Sequence, residues 1–259
     1  MRANTHGMST LVIALIIIIV VGSIVAIVVA AVSLGFWKPF GQVVGSGTFD
    51  TETKDFTDFT MVDVGGGFEV EIGQAGSYNV NITADDNMFD YIEVSQTGDT
   101  LTIGLQWGYS YQDVTLRAEI TMPDLYELKF SGGTLGTVEE FTSTHEFAVD
   151  LSSGSHLSGN FTTSENAQFT LSGGSHLTGL DGVANDLTIS GSGGSHLGLS
   201  EFTVHNATVN LSGGSHATVN LDGILDGDVS GGSHLKYVGN PTTVDVHTSG
   251  GSTVGPQQE

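Results

Sequence analysis

Seven glycine- and serine-rich hexads recur along the second half of the chain, and five of them carry histidine at the same place. They begin at Ser131 (Ser-Gly-Gly-Thr-Leu-Gly), at Ser152 (Ser-Ser-Gly-Ser-His-Leu), and at Ser172 and Ser192 (Ser-Gly-Gly-Ser-His-Leu). The series continues at Ser212 (Ser-Gly-Gly-Ser-His-Ala), Ser230 (Ser-Gly-Gly-Ser-His-Leu) and Ser249 (Ser-Gly-Gly-Ser-Thr-Val). Successive starts lie 21, 20, 20, 20, 18 and 19 residues apart. A fixed period near twenty marks a repeat architecture. A unit that short cannot bury its own apolar stripe, so the units must stack and share one core.

Parity shows which side chains face that core. In an extended chain, successive residues point to opposite faces. Phe169, Leu171, Gly173, Ser175 and Leu177 therefore share one face, and Thr170, Ser172, Gly174, His176 and Thr178 share the other. The stretch from Val209 to Leu221 divides in the same way. The apolar face is the interior, so Ser155, Ser175, Ser195, Ser215 and Ser233 point inward, with their hydroxyls expected to bond along the stack. The histidines point outward. This pattern predicts an all-β, right-handed parallel β-helix, a β-solenoid with ~20-residue coils spaced ~4.8 Å apart. An antiparallel sandwich is the competing fold, and it accounts poorly for the constant period. Both ends of such a stack need caps; the less regular first half and the terminal residues 255–259 are the candidates.

That first half, residues 48–130, alternates like strands but lacks the hexads. Met61-Val-Asp-Val and Phe68-Glu-Val-Glu-Ile bracket a Gly65-Gly-Gly turn, and no stretch after residue 34 has a helical period. Several of its blocks carry a resemblance: Val44-Gly-Ser-Gly-Thr-Phe, Val62-Asp-Val-Gly-Gly-Gly-Phe-Glu-Val-Glu-Ile, and Tyr78-Asn-Val-Asn-Ile-Thr-Ala-Asp-Asp-Asn. Asp99-Thr-Leu-Thr-Ile and Ile120-Thr-Met-Pro-Asp-Leu-Tyr-Glu-Leu-Lys-Phe-Ser-Gly-Gly complete the set. In order and spacing these blocks resemble the auto-transporter adhesin, head GIN domain family, from about Val43 to Val254. The resemblance implies an all-β solenoid at the cell surface or secreted, with no catalytic residues to carry over. The hexad histidine departs from the family pattern, so a function resting on it is particular to this chain.

Residues 11–34 are almost wholly apolar, broken only by Gly22, Ser23 and Ser33. At ~1.5 Å per residue they cover roughly 36 Å, more than the ~30 Å hydrocarbon core. The segment is read as one uncleaved transmembrane helix, with Ala30-Ala31 leaving a cleavage alternative open. Arg2 before it and Lys38 after it tie the positive-inside count. The large acidic domain and the sequons at Asn81, Asn160, Asn206 and Asn210 favour the bulk outside, with those four asparagines as glycosylation candidates. The expected organisation is a cytoplasmic terminus (1–10), the span (11–34), a linker (35–47), an N-terminal β half (48–130), the repeat solenoid (131–254) and a tail (255–259). With 6 Lys+Arg against 29 Asp+Glu, the net charge of −23 argues against nucleic acid as a partner. The absence of cysteine leaves neither a disulfide framework nor a thiolate metal site.

If the coils stack in register, His156, His176, His196, His216 and His234 form an outward column with rings about 5 Å apart. Three explanations stay open: two-histidine sites for zinc, copper or nickel, a column that charges near neutrality, or the duplication of a repeat without chemistry. Trp107, Tyr109 and Tyr111 place three aromatics in five residues, suited to stacking on a glycan or surface protein and equally to a buried strand edge. Asp85, Asp86, Asn87 and Asp90 are rich in oxygen but lack EF-hand spacing, which favours a solvated loop. Catalysis finds little support. The Gly-Gly-Ser-His-Leu segments miss the last glycine of a nucleophile elbow, parity separates serine from histidine, and Glu139 and Glu140 fall on opposite faces if extended. The expectation is therefore a non-enzymatic, single-pass membrane protein with an extracellular adhesion or binding module. An envelope spacer without a specific ligand and a metal-binding surface protein are the alternatives.

Overall fold

The computed structural model describes residues 41–257. The apolar segment 11–34, the terminus before it and residues 35–40 lie outside the described residues. Among the described residues no helix is long and apolar enough to cross a membrane. The chain divides into two compact units, one holding residues 41–43 with 108–110, the other residues 44–107 with 111 onward.

The strands fall in chain order as β1 (Gly41–Val44), β2 (Phe49–Lys54), β3 (Met61–Gly65), β4 (Glu69–Gln74) and β5 (Asn79–Asp85). Next come β6 (Ile92–Thr97), β7 (Thr100–Leu105), β8 (Tyr109–Gln112), β9 (Leu116–Met122) and β10 (Glu127–Ser131). The hexad region gives β11 (Leu135–Ser143), β12 (Phe147–Leu151), β13 (His156–Thr163), β14 (Ala167–Leu171), β15 (His176–Val183) and β16 (Asp186–Gly191). It ends with β17 (His196–Val204), β18 (Asn206–Leu211), β19 (His216–Leu221), β20 (Ile224–Val229), β21 (His234–Gly239), β22 (Thr243–Thr248) and β23 (Thr253–Pro256). A short 3-10 helix, Asp86–Tyr91, is the one helical element among the described residues; its six residues are too few to show a period.

Two large sheets face each other. One has ten strands in the order β22-β20-β18-β16-β14-β12-β10-β3-β7-β6, the other eleven in the order β2-β5-β9-β4-β11-β13-β15-β17-β19-β21-β23. Each hexad is the corner at which the chain leaves the first sheet for the second, and the repeat strands pair in parallel. The fold is therefore an all-β solenoid, as the period requires. Its coils begin earlier than the hexads do. β3 and β4 pair in parallel with β10 and β11, so Met61–Gln74 is already a full coil, and Gly65-Gly66-Gly67 is its corner. The sequence between that coil and the next, residues 75–126, builds the N-terminal cap. There β5 runs antiparallel between β2 and β9, and β6 runs antiparallel to β7. The other end differs from expectation: Thr253–Pro256 is the last strand of a sheet, and no separate cap follows it among the described residues.

The core is what parity assigned. Leu157, Leu177, Leu197, Ala217 and Leu235, the sixth residues of their hexads, are buried, as are Phe169, Leu171, Ile189, Val209 and Val219. Full burial of such side chains contributes ~1.5–3 kcal/mol each. Phenylalanines cluster in one part of it: Phe147 and Phe161 stack with centroids 3.7 Å apart, and Phe141 and Phe169 pack beside them. The period slips at Val138–Phe141, where β11 bulges and Glu140 takes a φ of 26°. The bulge leaves Glu139 and Glu140 both exposed instead of on opposite faces.

Each corner is a tight turn. In the hexad from Ser230, Gly231 and Gly232 have φ of 64° and 77°, the pair of positive values that a type I′ turn demands. The two glycines are needed for different reasons. A Cβ on Gly231 would lie 2.9 Å from the Gly213 nitrogen of the preceding coil, whereas one on Gly232 meets nothing within 4 Å. The interior serine completes the turn: the Ser175 hydroxyl donates to the Ser172 carbonyl at 2.7 Å, and Ser155, Ser195 and Ser215 repeat the bond. These hydroxyls thus bond within their own turn rather than along the stack. Only toward the C-terminal end do they link coils, where the Ser215 and Ser233 amides donate to the hydroxyls of Ser233 and Ser252.

The Gly45-Ser46-Gly47 and Asp85-Asp86-Asn87 blocks meet in the cap. The buried Asp85 carboxylate accepts from the amides of Gly47 and Thr115, both at 2.7 Å. Asp86 accepts from the Ser46 hydroxyl, and the Asn87 side chain bonds the Ser46 amide and the Val44 carbonyl. Hydrogen bonds to a charged group contribute ~1.5–3 kcal/mol each, so this clamp is a substantial part of the cap. Asp85, Asp86 and Asn87 are thus engaged in holding residues 44–47 and Thr115, and residues 45–47 are part of the cap.

The turn geometry gives a graded expectation. Gly232→Ala bears the left-handed backbone cost alone, ~1–2 kcal/mol. Gly231→Ala adds a clash with the neighbouring coil and should destabilise by about 1 kcal/mol or more beyond that. Urea unfolding of both variants checks the order.

Candidate binding surface

The hexad turn fixes where each histidine stands. It is the first residue of its strand in β13, β15, β17, β19 and β21, directly after the buried serine. The register then aligns His156 with His176, His176 with His196, His196 with His216, and His216 with His234. The His156 amide donates to the Thr134 carbonyl, and the other four donate to the interior serine of the preceding coil, for example His176 to the Ser155 carbonyl at 2.8 Å. All five imidazoles stand in one outward column.

The rings splay more than strand spacing alone suggests. Centroids lie 6.1, 6.0 and 6.1 Å apart from His156 to His216, and only His216 and His234 close to 4.9 Å. At the ends the rings find hydroxyl partners: His156 Nε2 with Thr178 Oγ1 at 3.2 Å, and His234 Nδ1 with Thr253 Oγ1 at 2.7 Å. Beside the closest pair, Lys236 and Thr253 join His216 and His234 in lining a shallow groove. Lys236 lies two residues beyond His234 and so shares its face. Among the described residues no group of three His, Cys, Asp or Glu side chains is placed to hold a metal ion.

Partial burial pulls the pKa of His156 below its ordinary value, and the neighbouring charge of His176 adds to the effect. His196 is lowered likewise, first by desolvation and then by His176 and His216. In the unfolded chain these groups take up protons more readily. The stability tied to their neutral form is therefore complete above the ordinary histidine pKa, ~6.5, and is lost as pH falls below it toward the lowered folded values.

Serine and histidine of one hexad are separated as parity requires: Ser175 is fully buried with its hydroxyl on a backbone carbonyl, and His176 is exposed. The aromatic trio is less uniform than its spacing suggests. Trp107 is 89% exposed and Tyr109 39% exposed. Tyr111 is half-buried, donating to the Gln106 carbonyl at 2.7 Å and meeting Tyr91 edge-on. Tyr109 falls in the small unit, Trp107 and Tyr111 in the solenoid unit. The four sequon asparagines all lie on strands. Asn81 accepts from the Thr53 hydroxyl, and Asn206 is engaged at both ends, donating to Asp186 and accepting from the Ile224 amide. Asn160 is half-buried, and Asn210 is exposed. Two further histidines pair with carboxylates away from the column, His145 with Asp124 at 3.2 Å and His205 with Asp222 at 2.8 Å.

A melting temperature followed from about pH 7.5 to pH 5 should drop below about pH 6.5. The double variant His156→Gln and His196→Gln should show a shallower drop than the wild type. An identical profile would mean the column does not contribute.

Comparison with known families matches residues 58–241 to the family described as "Putative auto-transporter adhesin, head GIN domain". No curated protein matches the chain. Among solved structures, a putative adhesin from Bacteroides fragilis superposes with a TM-score of 0.72 at 19% identity, covering 83% of this chain and 100% of its own. A putative lipid binding protein from Parabacteroides distasonis gives 0.65 at 17% identity, covering 84% and 100%. A putative adhesin from Parabacteroides merdae gives 0.61 at 17%, again covering 84% and 100%. At these identities the likeness is one of fold.

Proposed function

Because the chain belongs to the putative auto-transporter adhesin, head GIN domain family, we propose that it is a surface adhesion module held at the cell membrane by residues 11–34. In this reading the N-terminus lies inside, and a right-handed solenoid projects outward and acts by binding rather than catalysis. The observation that carries the proposal is the register-aligned outer face, on which one side-chain column repeats coil after coil. Such a face presents the same groups at a regular spacing, which suits a repeating ligand such as a surface glycan, bound through many weak contacts. The highly exposed Trp107 ring is a second contact of the kind that stacks on sugars.

The full chain in nanodiscs, applied to a glycan array, should bind a subset of surface polysaccharides. Trp107→Ala should weaken that binding about tenfold, in the range of one stacking contact (~0.5–1.5 kcal/mol), without lowering the melting temperature. Silence across the array would favour a spacer without a specific ligand.

A second reading rests on the His216–His234 pair, whose rings approach within 4.9 Å. Small rotations would let two imidazole nitrogens reach one zinc, copper or nickel ion at ~2.0–2.1 Å. Zinc titration by calorimetry should then show micromolar uptake that His216→Asn abolishes. No uptake at that level sinks this reading.

A further inference from the structure

The two ends of the stack are unlike. At the N-terminal end β7 and β9 pair in parallel with the first coil and are themselves backed by the antiparallel strands β6 and β5. At the other end β22 and β23 are the outermost strands of their sheets among the described residues. The inward side chains of that last coil are only partly covered. Val244 is 41% exposed and Val246 and Val254 are half-buried, whereas Leu225 and Leu235, one coil back, are buried. β23 ends at Pro256, which has no N–H to give a ladder. β22, Thr-Val-Asp-Val-His-Thr, has no such block.

The edge of β22 is complementary to itself. The register with β20 puts Val244, Val246 and Thr248 on the inner face, opposite Leu225, Gly227 and Val229, and puts Asp245 and His247 on the outer face. In an antiparallel pair, directly opposed residues share a face and interact. If two copies of β22 meet antiparallel about Val246, Asp245 of each stands opposite His247 of the other, and Val244 stands opposite Thr248. An imidazole N–H then donates to a carboxylate twice. Other registers lose this match. Centring on residue 245 sets aspartate against aspartate, centring on residue 247 sets histidine against histidine, and a one-residue slip turns the apolar face outward.

We propose that a second copy of this chain docks here, β22 against β22, closing a two-fold dimer that joins the two ten-stranded sheets edge to edge. The pairing is isologous, the same strand on both sides, so it stops at two copies. Head-to-tail growth is disfavoured because the N-terminal end offers antiparallel cap strands and not a matching last coil.

Sedimentation equilibrium of the full chain in density-matched detergent should show a dimer. His247→Asp sets carboxylates opposite each other at both places and should raise the dissociation constant about tenfold or more, from two lost pairs and two like-charge contacts. The double variant Asp245→His with His247→Asp exchanges the partners and should restore the dimer. Thermal melts of each variant confirm that the solenoid stays folded. A monomer at every concentration, a dimer indifferent to His247→Asp, or a double variant as weak as the single one would each overturn the proposal.

Discussion

The rest of the structure depends on one corner, in which two consecutive residues with left-handed backbone turn the chain while the preceding coil presses against the first of them. The corner is repeated in register, so its amides find acceptors on the following coil: Gly154 on Gly173, Gly174 on Gly193, Gly194 on Gly213 and Gly214 on Gly231, each at 3.0–3.1 Å. A ladder of corners therefore runs down one side of the molecule, continuous with the two sheets. The buried serine hydroxyls close the turns from inside, and among the described residues no buried side-chain nitrogen or oxygen lacks a hydrogen-bond partner. The corner also tolerates variation within limits: Ser153 holds the first position with a φ of 55°.

The placement of the histidines follows from the same geometry. A turn that buries its serine must expose the next residue, so histidine is forced to the surface at each repeat and the Ser-His dipeptide is never a catalytic pair. The column owes its alignment to the backbone. What the imidazoles add is a row of weakly basic groups on a strongly acidic molecule, with Lys236 at the end where the rings are closest.

Much of this was legible in the sequence because period and parity are local properties. The interior assignment of Ser155 through Ser233, the outward histidines and the stacked coils all follow from counting by two and by twenty. What was hidden required distant contacts or the loss of the repeat. The coil at Met61–Gln74 has a corner of glycines without serine, and the cap inserted after it breaks the spacing. Asp85 clamps Gly47 across 38 residues, which no local pattern announces. The serine hydroxyls turned to a carbonyl three residues back because that acceptor is nearer than the adjacent coil.

The near-identity of successive corners bears on how such a molecule changes over generations. Because each middle coil sees much the same neighbour above and below, a whole repeat can be gained or lost without altering the cap or the last strand. Each event would lengthen or shorten the projection by about one strand spacing, ~4.8 Å. The length of the stack is then a ruler graduated in genetic units of about twenty codons, adjustable by duplication while the side-chain column keeps its alignment.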